Sequence, residues 1–186
     1  TSAYHMHLAI ATSLAVMIFT SVSSTYFHAK KKSVLWKTFA LLGLGMIMGA
    51  FVGPFISDKF STRALEIIFG SIEILIALTL FFYKPHQKKT GPVKNGLSQV
   101  LITLLIGFIA AFLGSMLGIG GGVIIVPGLI FLGYSTQKAV GTSAAALILT
   151  AVVGTASQLF FSFNVDIPYS LGFIYIPATI GLAIGS

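Results

Sequence analysis

Gly114–Ser143 reads GSMLGIGGGVIIVPGLIFLGYSTQKAVGTS. It lies inside a hydrophobic segment, yet a glycine run and a proline interrupt it, and it ends on Gly-Thr-Ser at the opening of a further apolar segment. In hydrocarbon an unpaired backbone group is costly, because no water is there to satisfy it. Irregular backbone at membrane depth is tolerated only where it is buried in protein or lines a cavity. Apolar segments interrupted by glycine and proline are the best sequence pointer to a transporter's binding site.

The composition places this stretch in a membrane. The chain has 186 residues, of which 56% are hydrophobic and 8% charged, and its mean hydropathy is +0.99. A soluble domain carries about 25% charged residues, so the chain is a polytopic membrane protein. No basic region precedes the first apolar run, at about Leu8, and no small-residue cleavage site follows it, so no secretory signal is read there. There is no cysteine, which excludes disulfides, thiolate metal sites and cysteine nucleophiles. The net charge of +7 is gathered in loops. That fits the positive-inside rule and not nucleic-acid binding.

A span needs about 20 apolar residues. Spans are predicted over about Leu8–Phe27, Leu35–Ile56, Ala64–Tyr83 and Leu97–Leu117. After the glycine run come a short apolar piece, Val123–Tyr134, a span over Ala139–Phe163 and a last one over Tyr169–Gly185. Lys30, Lys31, Lys32 and Lys37 fall in Ala29–Lys37, and Lys84, Lys88, Lys89 and Lys94 in Lys84–Asn95. Both loops are expected in the cytoplasm, with Ser57–Arg63 and Asn164–Pro168 outside. Lys138 returns to the cytoplasmic side if the glycine-run region enters and leaves as a hairpin.

The sequence repeats. AIATSLAVMIFTSVSST from Ala9 resembles AVGTSAAALILTAVVGT from Ala139, aligning Thr12-Ser13 with Thr142-Ser143, Thr20 with Thr150, Thr25 with Thr155 and His28 with Gln158. Gly49-Ala-Phe-Val-Gly53 echoes Gly181-Leu-Ala-Ile-Gly185. The expected fold class is all-α: a polytopic helical bundle of two related halves, inverted with broken or re-entrant helices. A parallel repeat is the alternative if the glycine run forms one broken span. The halves are residues 1–83 and 97–186, joined by a basic linker, 84–96. The first lacks an upstream glycine-proline hairpin and the second a final span, so the chain is expected to be the middle of a longer protein.

Gly118-Ile-Gly-Gly-Gly122 with Val126-Pro127, a short apolar run and then Ala139-Val-Gly-Thr-Ser143 resemble the TauE/SafE family of sulfite exporters. The resemblance is strongest over Gly107–Gln158 and weaker over Ala9–His28, where Ala11 stands for the glycine of Gly-Thr-Ser. It implies a multi-pass inner-membrane permease of two related halves that moves small sulfur-containing anions or organic acids.

The candidate substrate-binding residues are Gly118, Gly120, Gly121, Gly122 and Pro127, with Thr142, Ser143, Thr12 and Ser13. Glycines let backbone N–H groups approach an anion, and a half-helix N-terminus adds partial positive charge. The bland alternative for Gly114, Gly118 and Gly122 is a small-residue packing series. The Thr-Ser pairs are placed at helix starts, where their hydroxyls bind anion oxygens or act as ordinary N-caps. Thr20, Ser24, Thr150 and Thr155 extend polar faces along the same helices, chiefly as packing. No lysine or arginine lies in mid-span, so binding by neutral dipoles is expected, with Lys138 the nearest cation.

Glu73, mid-span in the third helix, is a candidate for proton coupling, since an intramembrane carboxyl is by default functional. His28 is a candidate gate, because imidazole changes charge near neutral pH, and Gln158 is its counterpart in the repeat. His5-Met6-His7 is a weak metal-binding fragment, and Gly45, Gly49 and Gly53 form a packing face. No catalytic residue, metal site or cofactor is called.

The leading reading is a secondary transporter of a small anion such as sulfite, another sulfur oxyanion, a sulfonate or a small organic acid. An anion channel and a non-transporting membrane scaffold are the alternatives. The expected partners are the anionic substrate and the lipid bilayer, with a coupled proton or ion and a homo-oligomer left open, and no nucleic acid.

Overall fold

The structure is a computed structural model and describes residues 2–57, 59–82, 96–161, 170–171 and 174–175. It is a helical bundle: α1 (Ser2–Lys30), α2 (Trp36–Ser57), α3 (Thr62–Phe82), α4 (Leu97–Leu117), α5 (Gly122–Phe131) and α6 (Thr136–Phe161). Among the described residues four helical stretches are long and apolar enough to cross a membrane: Ala9–Lys30, Trp36–Ile56, Leu97–Leu117 and Thr136–Ser157. The predicted last span, Tyr169–Gly185, lies largely outside the described residues. Its described part is not helical: Ser170–Leu171 pairs antiparallel with Ile174–Tyr175. Ile and Tyr favour such extended pairing over helix. The linker 84–95 and the loop Asn164–Pro168 also lie outside the described residues.

Contacts between helices fix their directions. Going up α2, Leu42 meets Gly107, Gly49 meets Phe108 and Phe112, and Gly53 meets Ser115 and Met116, so α2 and α4 are parallel. Ser33 meets Gly141, Gly43 meets Leu149 and the Phe51 carbonyl accepts from Ser157 Oγ, so α6 is parallel to both. α1 joins α2 through the short turn at residues 31–35 and therefore runs against all three, with Leu14 against Gly154. The two Thr-Ser helices, α1 and α6, are thus antiparallel. α5 folds back along α4: Gly121 lies on Ala110, Gly128 on Ile106, and the Tyr134 hydroxyl reaches Gln99 in the first turn of α4.

This arrangement puts Lys30, Lys31, Lys32, Lys37 and Lys138 at one end of the bundle and Lys59 and Arg63 at the other. The core joins α2, α4, α5 and α6 through Leu42, Met46, Ala50, Ala110, Ala111, Ile125, Leu129, Ala139 and Ala146. A second cluster of Ile10 and Leu14 of α1 with Met116 and Leu117 of α4 closes the top of the hairpin. The many alanines and glycines are there because helices in lipid gain little from apolar transfer. Close backbone approach and dispersion hold them instead. α3 touches the second cluster through Ile68 and Ile72, one turn apart.

Candidate functional site

The hairpin α4–α5 carries no charged residue from Leu97 to Ser135, so whatever polarity it offers is backbone and hydroxyl. Its turn is narrower than the sequence suggests. The break runs over Gly118–Gly121, and Pro127 lies inside α5 and does not interrupt it. Losing its N–H frees only the carbonyl four residues back, Val123, in the first turn of that helix.

Gly118, Gly120 and Gly121 have φ of 74°, 70° and 76°. That left-handed geometry lets the chain reverse within four residues, and glycine adopts it without the penalty borne by residues with a Cβ. The N–H groups of Gly118, Ile119 and Gly120 all turn back to the Gly114 carbonyl. Gly121 is the N-cap of α5, and its carbonyl accepts from Ile124 and Ile125. The N–H groups of Gly121, Gly122 and Val123 donate to nothing among the described residues. This is the positive end of the α5 dipole, and it sits in the interior of the bundle.

The serine of each Thr-Ser pair, Ser13 and Ser143, faces this turn, but the pairs do not lie at helix starts. Thr12 and Ser13 lie ten residues into α1, and Thr142 and Ser143 six residues into α6. The reading of the pairs as helix starts or N-caps is therefore corrected: Gly141 suggests a helix boundary, whereas in the fold it is a contact point, with the Ser33 carbonyl 2.7 Å from where a Cβ would stand. Ser13 Oγ donates to the Gly118 carbonyl at 2.8 Å, tying α1 to the break. Ser143 Oγ reaches the Gly122 carbonyl at 3.5 Å, a weak contact, from the α6 side. Met17 and Leu147 close over Gly120, the Leu147 methyl standing 2.7 Å from a would-be Cβ.

Thr142 is fully buried, and its Oγ1 accepts from the Leu35 N–H at 3.0 Å. Leu35 opens α2, so this hydroxyl fastens the α1–α2 turn to α6. Thr142→Val is expected to strand that buried N–H and to cost about 1–3 kcal/mol, lowering the melting temperature in detergent. Thr142→Ser keeps the acceptor and should melt close to the parent.

Glu73, His28 and Lys138 are not brought to the turn. Glu73 is exposed on α3, one residue beyond Ile72 and between the exposed Ile67 and Ile74. His28 is half-buried in the last turn of α1, and Lys138 is exposed in the first turn of α6. Gln158 is in α6, and its side chain lies outside the described ones, as do those of His5 and His7. Among the described residues no group of three His, Cys, Asp or Glu could hold a metal ion.

One polar cluster is absent from the sequence reading. Thr38 Oγ1 contacts the Tyr134 hydroxyl at 3.2 Å, Gln99 Nε2 contacts the same hydroxyl at 3.5 Å, and Thr103 Oγ1 donates to the Gln99 carbonyl at 2.8 Å. It anchors the lysine-rich end of the hairpin to α2. The only signal for it is the presence of polar residues near the ends of predicted spans.

A buried, uncharged, broken-helix hairpin held by two antiparallel helices, in a bundle with four helices long and apolar enough to cross a membrane, is the architecture of a multi-pass membrane protein. The profile of the Sulfite exporter TauE/SafE family matches residues 1–186, and the chain belongs to that family. A probable membrane transporter protein of Bacillus subtilis, YunE, is 32% identical over 182 residues, covering 90% of this chain and 66% of the relative. A probable membrane transporter protein of Methanocaldococcus jannaschii is 30% identical over 177 residues, covering 95% of this chain and 64% of the relative. One from Haemophilus influenzae is 28% identical over 179 residues, with 95% and 66% covered. The chain thus spans just under two-thirds of the length of these relatives. No solved structure matches it.

Proposed function

We propose that this chain carries the substrate site of a secondary transporter for a small oxyanion, such as sulfite, another sulfur oxyanion, a sulfonate or a short carboxylate. The supporting observation is the α5 N-terminus: three consecutive N–H groups, of Gly121, Gly122 and Val123, without partners among the described residues, inside a charge-free hairpin. Anions bind at such helix ends through the N–H groups and the dipole together. Gly120 and the Ser13–Gly118 bond shape the turn, and Ser143 adds a hydroxyl from α6. Thr12 flanks Ser13, Thr142 holds the surrounding turn in place, and Pro127 stiffens the half-helix.

Neutral donors suit transport because the site must release what it binds. The antiparallel α1 and α6 support an inverted repeat that rocks about the hairpin. The lysine-rich end is placed in the cytoplasm of a cell with this protein in its inner membrane. Lys138, His28 and Gln158 belong to the mouth on this reading, and Glu73 is assigned to the lipid or subunit face.

Uptake into vesicles reconstituted with the purified protein, against sulfite, thiosulfate, sulfonates and carboxylates, tests the proposal. Saturable counterflow is expected for one of them, and conductance without counterflow would identify a channel instead. Ser143→Ala removes one contact of about 1 kcal/mol, which corresponds to a roughly fivefold rise in half-saturation. Unchanged half-saturation in Ser143→Ala would place the substrate elsewhere.

A further inference from the structure

Two apolar side chains flank the turn without joining the core. Met17 of α1 lies one helical turn beyond Ser13, and Leu147 of α6 one helical turn beyond Ser143. They occupy matching positions of the repeat, the last residues of AIATSLAVM from Ala9 and AVGTSAAAL from Ala139. Ser13 and Ser143 contact the carbonyls of Gly118 and Gly122. Between these two points Met17 and Leu147 meet over Gly120, where a Cβ would run into Met17 Sδ and stand 2.7 Å from Leu147 Cδ2. Leu147 also borders Gly122: its Cδ2 is 3.3 Å from a would-be Cβ there, next to Ser143 Oγ at 3.2 Å.

Among the described residues neither Met17 nor Leu147 belongs to a core cluster, and both are only half-buried. Val123, 39% exposed, adds a third apolar edge in the first turn of α5. The N–H groups of Gly121, Gly122 and Val123, unpartnered among the described residues, are thus bordered by apolar surface as well as by the Ser143 hydroxyl. An inorganic oxyanion placed on them would turn some of its oxygens toward Met17 and Leu147, where they lose water and meet no donor. An anion with an alkyl tail divides to match: the charged oxygens take the N–H groups, and the carbons take the apolar wall.

We propose that Met17 and Leu147 are specificity-determining residues that hold the alkyl tail of the transported anion, so that the site prefers an alkanesulfonate or a short alkyl carboxylate to an inorganic sulfur oxyanion. This rests on the transport reading above and narrows it. The two residues divide the task. The thioether of Met17 is unbranched and polarizable and adapts to tails of different length, whereas the branched Leu147, wedged against Gly120 and Gly122, is the fixed side of the wall.

The test is the half-saturation for uptake of methanesulfonate, ethanesulfonate, propanesulfonate, isethionate and sulfite into vesicles reconstituted with the purified protein. Thermal stabilisation of the protein in detergent by the same sodium salts gives their binding order without transport. In the parent each added methylene should lower half-saturation by about two- to fourfold, fourfold being the full burial of one CH2. Isethionate, a propanesulfonate with a hydroxyl in place of its methyl, should be the poorer of that pair. Met17→Gln keeps the length of the side chain and makes the wall polar, so it should level the two. Leu147→Ala should flatten the gain per methylene, and Leu147→Met should retain it. These are ratios between anions within one variant, so the amount of folded protein cancels. Leu149→Ala, which alters a side chain set against Gly43 of α2 and not against the turn, should keep the parental order.

A parental order that is flat with tail length, or that favours sulfite, would overturn the alkyl preference. A parental order retained in both Met17→Gln and Leu147→Ala would overturn the role of these two residues. Graded stabilisation without uptake of any anion counts against the transport reading alone, and uptake without the graded order counts against this inference alone. Neither uptake nor stabilisation by any of the anions would overturn both.

Discussion

Gly121→Ala is expected to abolish the native hairpin. Gly121 has φ of 76°, and a Cβ there would run into the Ala110 carbonyl and stand 2.7 Å from its carbon. The left-handed backbone costs an L-residue about 1–2 kcal/mol. Overpacking adds about 1–3 kcal/mol, and here the obstacle is helix backbone, which has no rotamer to escape into. The sum, about 2–5 kcal/mol, is comparable with the lower end of a whole protein's stability. Loss of folded protein after detergent extraction should therefore be the readout, with Gly121→Asn less severe than Gly121→Val, since Asn tolerates the left-handed region. A Gly121→Ala protein that purifies and melts like the parent would mean that α5 does not pack on Ala110 as described.

The parts of the fold that were legible are those with punctuation. The span expected over about Leu97–Leu117 coincides with α4, which Gly96 and Gly118 bracket, Gly118 as the left-handed C-cap. α6 begins three residues before the predicted Ala139, since hydropathy marks the membrane-embedded part and Thr136–Lys138 form a polar first turn. The Thr-Ser pairs are legible in the sequence, but their roles are not. Thr142 serves Leu35, 107 residues away in sequence, and no local pattern encodes that contact.

Glu73 illustrates the converse limit. Its depth follows from the centre of a span, but its facing does not, because a helix in lipid has no polar side to mark the exposed face. Ile68 and Ile72 pack inward while Ile67, Ile74 and Leu75 are exposed, and nothing in their chemistry separates them. The carbonyls of Ser115–Leu117, which accept nothing among the described residues, are invisible in sequence for a further reason: their helical donors are lost through backbone geometry at the break, not through residue type.

Gly49→Ala is expected to part α2 from α4. A Cβ on Gly49 would strike the Phe108 carbonyl and stand 2.8 Å from the Phe112 nitrogen, and Gly45 and Gly53 continue the same contact one turn below and above. Alanine gains about 1 kcal/mol of helix propensity over glycine, which opposes the clash. The clash should win, because both obstacles are main-chain atoms and the helices can accommodate the methyl only by moving apart. That movement weakens the dispersion contacts and the weak Cα–H···O contacts along the whole stripe. A net loss of about 2 kcal/mol or more follows from an overpacking cost at or above the top of its usual ~1–3 kcal/mol range.

The hairpin is carried on α4, so a shifted α4 also displaces the Gly118–Gly121 turn from Ser13 and Ser143. Transport should fall even in whatever fraction remains folded. Gly70→Ala in α3 supplies the opposite case: no described atom lies within 4 Å of its Cβ, so the propensity gain stands unopposed. The melting temperature should therefore drop in Gly49→Ala and hold or rise in Gly70→Ala. The same shift in both variants would show that backbone propensity, and not the α2–α4 approach, decides the stability of these helices.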